Sequence, residues 1–150
     1  MSTLKIFFDD PKSFELHNLK SLTGLVGLYF IFSPDISIQY PYRGSNLLYI
    51  GMSERKTNSM RSRLTGHFDG KSKNVGLYNY RKVSDLKFTF INFEMLKNFW
   101  DYKVEDLESY FIVDFVEKYG VYPICNNKTS YDIQSKFVKA NFTIDWSYFE

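Results

Sequence analysis

The chain has little of what would hold a transition metal or a disulfide. Its 150 residues include one cysteine, Cys125, and two histidines, His17 and His67. No internal disulfide forms from such a set, and a structural zinc site of thiolates and imidazoles is excluded. Any metal here rests on carboxylates and water. No apolar run reaches the roughly 18 residues that a membrane span needs, and the stretch from Met1 to Asp10 lacks the apolar centre of a signal peptide. The expectation is a soluble chain in a reducing compartment, with no membrane partner. An excess of one charge is missing too: 19 Lys and Arg stand against 17 Asp and Glu, a net +2, which announces neither an acidic tail nor a uniformly basic surface. Aromatic residues are what the chain has in quantity. With 12 Tyr, 15 Phe and 2 Trp, core material is ample, and a single domain over residues 1–150 is expected, without linker, repeat or low-complexity tract.

Residues 25–32, Leu-Val-Gly-Leu-Tyr-Phe-Ile-Phe, carry apolar side chains on both alternating faces and end at Ser33-Pro34-Asp35, which predicts a central strand. A second strand is expected over Asn46 to Ile50, closing on Gly51. The polar stretch from Ser33 to Ser45 between them, with Pro34, Pro41 and Gly44, reads as the elaborated loop of a hairpin. Ser59 stands where it would N-cap a helix whose Met60, Leu64 and Phe68 repeat at i+4, with Asp69-Gly70 to end it. Ser72 to Lys82 is a polar helix or a loop. Leu86, Phe88 and Phe90 alternate with Lys87, Thr89 and Ile91 as a third strand. Leu107, Phe111 and Phe115 mark a helix from Val104 to Lys118, stopped by Gly120, and Tyr131 to Phe142 reads as a short amphipathic helix.

The charge that cancels overall is unevenly spread. Residues 53–82 hold Arg55, Lys56, Arg61, Arg63, Lys71, Lys73, Arg81 and Lys82 against Glu54 and Asp69, a net +6, which leaves −4 for the remainder. A cationic segment interleaved with Asn58, Asn74, Tyr78, Asn79 and Tyr80 suits a phosphate backbone, because each neutralised phosphate releases a counterion. A solvated helical face accounts for the same charges.

Taken in order, the unusual residues are Gly27-Leu28-Tyr29 on the first strand, Tyr49-Ile50-Gly51 on the second, Arg63 and His67 one turn apart on the first helix, Glu108 on the later helix and Asn126 beyond it. In these residues the sequence resembles the GIY-YIG nuclease superfamily, over about residues 24–127. The resemblance implies a small α/β sandwich with a central three-stranded, mainly antiparallel sheet flanked by helices. It also implies a Mg²⁺-dependent endonuclease, with Mn²⁺ as a substitute ion, cutting double-stranded DNA by direct attack of water. The first tripeptide differs in having Leu28 for Ile, the loop between the tyrosines and the segment from Gly51 to Arg63 are long, and Met52 and Ser53 stand where some members carry a lysine. The long insertions look like those of restriction-enzyme members; homing, repair and junction-resolving nucleases share the superfamily.

By that resemblance Tyr29 is the candidate general base and Tyr49 a positioning or relay group, with their order open. A phenol of reference pKa near 10 serves as base only where cations stabilise its phenolate. Arg63 is the group to stabilise charge on the phosphate, with Arg61 its rival and His67 beside it to bond phosphate or take a proton. Glu108, at the margin of an apolar helix face, is the expected Mg²⁺ ligand, water and substrate filling the other positions. Asn126, or Asn127 next to it, is expected to hold the site's geometry. Arg55, Lys56, Arg61, Lys71, Lys73, Arg81 and Lys82 are the expected DNA contacts. A double-strand cut leads to the expectation of a homodimer, for which the aromatic tail (Phe137, Phe142, Trp146, Tyr148, Phe149) offers either an apolar contact surface or simple packing. A cytoplasmic bacterial or phage-encoded protein is implied. A catalytically silent DNA-binding module and a protein-binding or inhibitory module are the alternatives.

Overall fold

The computed structural model describes residues 4–126 and 142–150. It is a mixed α/β arrangement in which one antiparallel sheet separates two apolar layers. The strands are β1 (Leu4–Ile6), β2 (Lys12–Ser13), β3 (Gly27–Phe32), β4 (Ile38–Gln39), β5 (Gly44–Ser45), β6 (Leu47–Ser53), β7 (Lys87–Asn92) and β8 (Phe142–Ile144); the α-helices are α1 (Met60–Asp69), α2 (Val75–Val83) and α3 (Val104–Tyr119). Three expected strands form β6, β3 and β7, with β3 in the middle. The sheet is four-stranded rather than three-stranded, in the order β2-β7-β3-β6, because Lys12 and Ser13 pair with Phe88 and Lys87. Two further ladders lie outside it. β4 and β5 form a small hairpin inside the long Ser33–Ser45 loop, and β1 pairs in parallel with β8.

Every residue of β3 is buried, as apolar side chains on both faces require. Leu28, Phe30 and Phe32 point into one core with Ile50, Phe111, Ile112 and Phe115, under α3. Tyr29 and Ile31 point into the other, with Leu48, Met60, Leu64, Leu77 and Phe88, under α1, α2 and a 3₁₀ segment at Leu16–Leu22. At the start of α3 the Asp106 carboxylate accepts the Lys103 amide at 3.2 Å, and the helix stops at Gly120 in the left-handed region at φ +97°. α2 settles the ambiguity over residues 72–82 in favour of a helix, capped by the Asn74 side chain, which accepts from the Leu77 amide at 3.1 Å. Ser59 precedes α1 in extended backbone but makes no side-chain cap bond.

Among the described residues, the aromatic tail packs inward and not as an outer contact surface. Phe142, Trp146 and Phe149 are buried in the α3-side core, Phe149 wholly so, with its ring 4.8 Å from that of Phe8 and 5.2 Å from that of Phe32. These side chains are needed to cover the face of β3 that α3 leaves bare. Of the helix expected over Tyr131 to Phe142, Phe142 is in β8 and the rest, with Phe137 and Asn127, lies outside the described residues. Among the described residues, no helix is long and apolar enough to cross a membrane.

Candidate active site

The two glycines of the paired tripeptides are required by close packing. Tyr29 is the cross-strand partner of Gly51, and its ring lies across that glycine. A Cβ on residue 51 would overlap the ring and stand 2.6 Å from the phenol oxygen. A Cβ on Gly27 would overlap the Ile91 carbonyl of β7. Gly27 thus allows the close approach of β7 to β3, and Gly51 the placement of the Tyr29 ring.

That ring is 0% exposed. Its hydroxyl lies 3.0 Å from His67 Nε2, and the other imidazole nitrogen, Nδ1, lies 2.8 Å from the Ser72 hydroxyl. Tyr49, one strand over, packs edge-on against His67 with ring centroids 4.9 Å apart, and 6.1 Å from the Tyr29 ring. Arg63 and His67 project from the same side of α1, as their spacing predicts. Tyr49, Arg63, His67, Lys71, Ser72 and Asn74 line one cleft of about 410 Å³. Arg63 is shared with a smaller cleft of about 230 Å³ that Met52, Glu54 and Arg55 help to line.

The electrostatics differ from the expectation of a cation-stabilised phenolate. Burial dominates at Tyr29 and pushes its pKa up to about 12; the Arg63 charge and hydrogen bonds from Arg63 and Tyr49 pull the other way without cancelling it, and Glu108 adds to the rise. Tyr29 is a neutral phenol in this state. Burial also lowers His67, to about 4, with the Arg63 charge acting in the same sense, so its ring is neutral at pH 7. For Arg63 itself, desolvation acts to lower the pKa, but the two phenols and Glu108 outweigh it and the net shift is upward.

Glu108 lies in α3, on the opposite side of the sheet from α1, and is 6% exposed. It acts electrostatically on both Tyr29 and Arg63. Glu105 and Glu117 are exposed, as the helical pattern predicts. Among the described residues, no three of His, Cys, Asp and Glu gather to hold a metal ion. The oxygen donors that act on Arg63 electrostatically are the Glu108 carboxylate and the two phenols, and Glu54 lines the smaller cleft with it.

Asn126 holds a strand and does not line the cleft. Its Oδ1 accepts the Ile50 amide at 3.1 Å and its Nδ2 donates to the Ile50 carbonyl at 2.9 Å, while the Cys125 amide donates to the Leu48 carbonyl at 2.8 Å. Residues 125 and 126 thus complete the outer edge of β6, which carries Tyr49 and Gly51. Asn74, absent from the expected site, ties this edge to α2 by donating to the Cys125 carbonyl at 2.9 Å. Ser72 was also absent. An Asn just ahead of an apolar turn was a legible cap signal for the first; nothing in the sequence marks Ser72.

The cationic segment divides. Lys56, Lys71, Lys73 and Lys82 are exposed, Lys82 over the Tyr78 ring and Lys71 near Asp69. Arg55 is exposed in a turn closed by its bridge to Asn58. Arg61 turns away from the cleft and donates to the Thr23 hydroxyl at 2.9 Å, so Arg63 alone of the two arginines lines it. Arg81 is half-buried, its guanidinium packed 4.1 Å from the centre of the Phe68 ring. No protein-family model matches this chain, and neither does a curated protein or a solved structure.

Proposed function

We propose that the chain is a Mg²⁺-dependent endonuclease of the GIY-YIG kind that hydrolyses DNA phosphodiesters. The observation that carries the reading is one cationic cleft lined by Tyr49, Arg63 and His67, with Tyr29 hydrogen-bonded behind His67 and the buried Glu108 carboxylate acting electrostatically on Tyr29 and Arg63. A scissile phosphate fits against Arg63, whose planar donors match its oxygens, with Lys71 on one side and Arg55 on the other. Guanidinium stabilisation of charge developing on that phosphate is worth about 3–4 kcal/mol when well placed. Tyr49 lines the cleft and meets the attacking water first; Tyr29, buried behind it, is the relay. Water oxygen bonds to phosphorus as the phosphorus–oxygen ester bond breaks, and the departing oxygen takes a proton from solvent. Glu108 fits a hard cation held largely through water, since one carboxylate with oxygen neighbours is how Mg²⁺ is commonly bound. Such an ion, when bound, neutralises charge on the phosphoryl and leaving oxygens.

The test is supercoiled plasmid with Mg²⁺ or Mn²⁺, beside an EDTA control and Glu108→Ala. Metal-dependent nicking lost in the variant supports the reading, and discrete linear products point to site selectivity and a dimer. The wholly buried, neutral Tyr29 favours one rival, a silent nucleic-acid binder. Plasmid retardation without cutting selects that rival, and the absence of both at low salt removes the nucleic-acid function altogether.

A further inference from the structure

Tyr29, His67 and Ser72 form a chain of hydrogen bonds whose direction is set by the tautomer of His67. A guanidinium has no acceptor, and the Arg63 charge favours a Tyr29 oxygen that turns a lone pair toward it. Tyr49 is hydrogen-bonded to the same hydroxyl. With a lone pair turned to Arg63, the Tyr29 proton is free to point at His67 Nε2, 3.0 Å away. A neutral imidazole that accepts at Nε2 carries its proton on Nδ1, and Nδ1 faces the Ser72 oxygen at 2.8 Å. That oxygen also accepts the Asn74 amide at 3.3 Å. Ser72 is left with a hydroxyl proton to give, and it is an exposed residue at the cleft wall.

We propose that Ser72 is the positioning residue that selects the Nδ1–H tautomer of His67, and the outer end of a one-way proton path from Tyr49 through Tyr29 and His67 to solvent. The tautomer is a property of the folded protein; only the proton path rests on the endonuclease reading. As water attacks, its proton goes to the Tyr49 oxygen, the Tyr49 proton to Tyr29, the Tyr29 proton to Nε2, the Nδ1 proton to Ser72 and the Ser72 proton to bulk water. Every group gains one proton and loses one, so no charge stays in the interior. Hydroxyl rotation and exchange with solvent then restore the starting tautomer. Among the described residues, the charged or titratable groups that line the cleft with His67 or touch its ring are Arg63 on its own helix, the two tyrosines on the sheet, and Lys71.

The experiment is ¹⁵N imidazole NMR of the full chain at pH 7, with exposed His17 as internal reference, on wild type, Ser72→Ala and Ser72→Thr. His67 is expected wholly as the Nδ1–H form in wild type, mixed with Nε2–H in Ser72→Ala, and restored in Ser72→Thr. In the plasmid assay, Ser72→Ala is expected to lower kcat about ten- to a hundredfold with KM unchanged, again restored by threonine. An Nε2–H form in wild type, or a tautomer indifferent to Ser72→Ala, overturns the placement of Ser72. An unchanged kcat in an active protein overturns the proton path. A wild type that never cuts but shows the expected tautomers removes the endonuclease reading and the path with it, and upholds the positioning role.

Discussion

Replacing Asn126 with alanine leaves both the amide and the carbonyl of Ile50 without partners at a buried edge of β6. Each unsatisfied backbone group costs about 1–3 kcal/mol, and the 7% exposure of Asn126 admits some water, so about 2–4 kcal/mol is expected for the pair. For a chain of this length that is a fall in Tm of about 5–15 °C, measurable by calorimetry and by urea unfolding. Asn126→Asp sharpens the test. Protonated, the new carboxyl reproduces the amide, one oxygen accepting from Ile50 and the hydroxyl donating to it; ionised, it faces the Ile50 carbonyl with no proton to give. Its folded pKa is therefore raised above the unfolded value of about 3.9. The folded state holds the proton longer, so stability relative to wild type is greatest below about pH 4 and falls as pH rises through the folded pKa. A loss under about 1 kcal/mol in Asn126→Ala, or an Asn126→Asp deficit that is flat or shrinks with rising pH, refutes the two-bond account.

His67 titrates at about 4 when folded against a reference of 6.5; the unfolded chain takes up a proton first, so stability falls as pH drops from 6.5 to about 4, by about 3 kcal/mol in all, and His67→Gln is expected to remove that slope from the pH profile of unfolding. Phe149→Ala is expected to cost about 3–5 kcal/mol while leaving the mass in sedimentation unchanged, because the ring fills a core and not a subunit contact. If the chain binds DNA, Lys71→Ala is expected to lower the slope of log affinity against log salt by about one. Arg81→Ala is expected to lower Tm instead, since its guanidinium is packed on Phe68.

Local periodicity made the middle of the fold legible. The doubly apolar run around Tyr29 identified the central strand, and the i+4 spacings of Met60 with Leu64 and of Leu107 with Phe111 identified α1 and α3. The same run also implied that Tyr29 is buried, and therefore a weak acid, which the analogy with a phenolate base obscured. β1, β2 and β8 were not legible, because two or three residues carry no period and their partners lie far along the chain. Arg63 and His67 were placed correctly relative to each other by helical spacing. Arg81 looked like Lys82 in the sequence because charge counts do not distinguish a guanidinium stacked on a ring from an ammonium in water.

The parallel pairing of Leu4–Ile6 with Phe142–Ile144 joins segments separated by nearly the whole chain, and the Asn46 amide, at the turn into β6, donates to the carbonyl of Phe149. During synthesis, the face of β3 beneath Phe149 stays open until residues 142–149 have left the ribosome. The nascent chain therefore carries Phe30 and Phe32 uncovered for most of its elongation, and closure of so long a loop is entropically slow. Chains stalled before residue 142 are expected to aggregate through that uncovered face, a consequence of building the core from segments so far apart in the sequence.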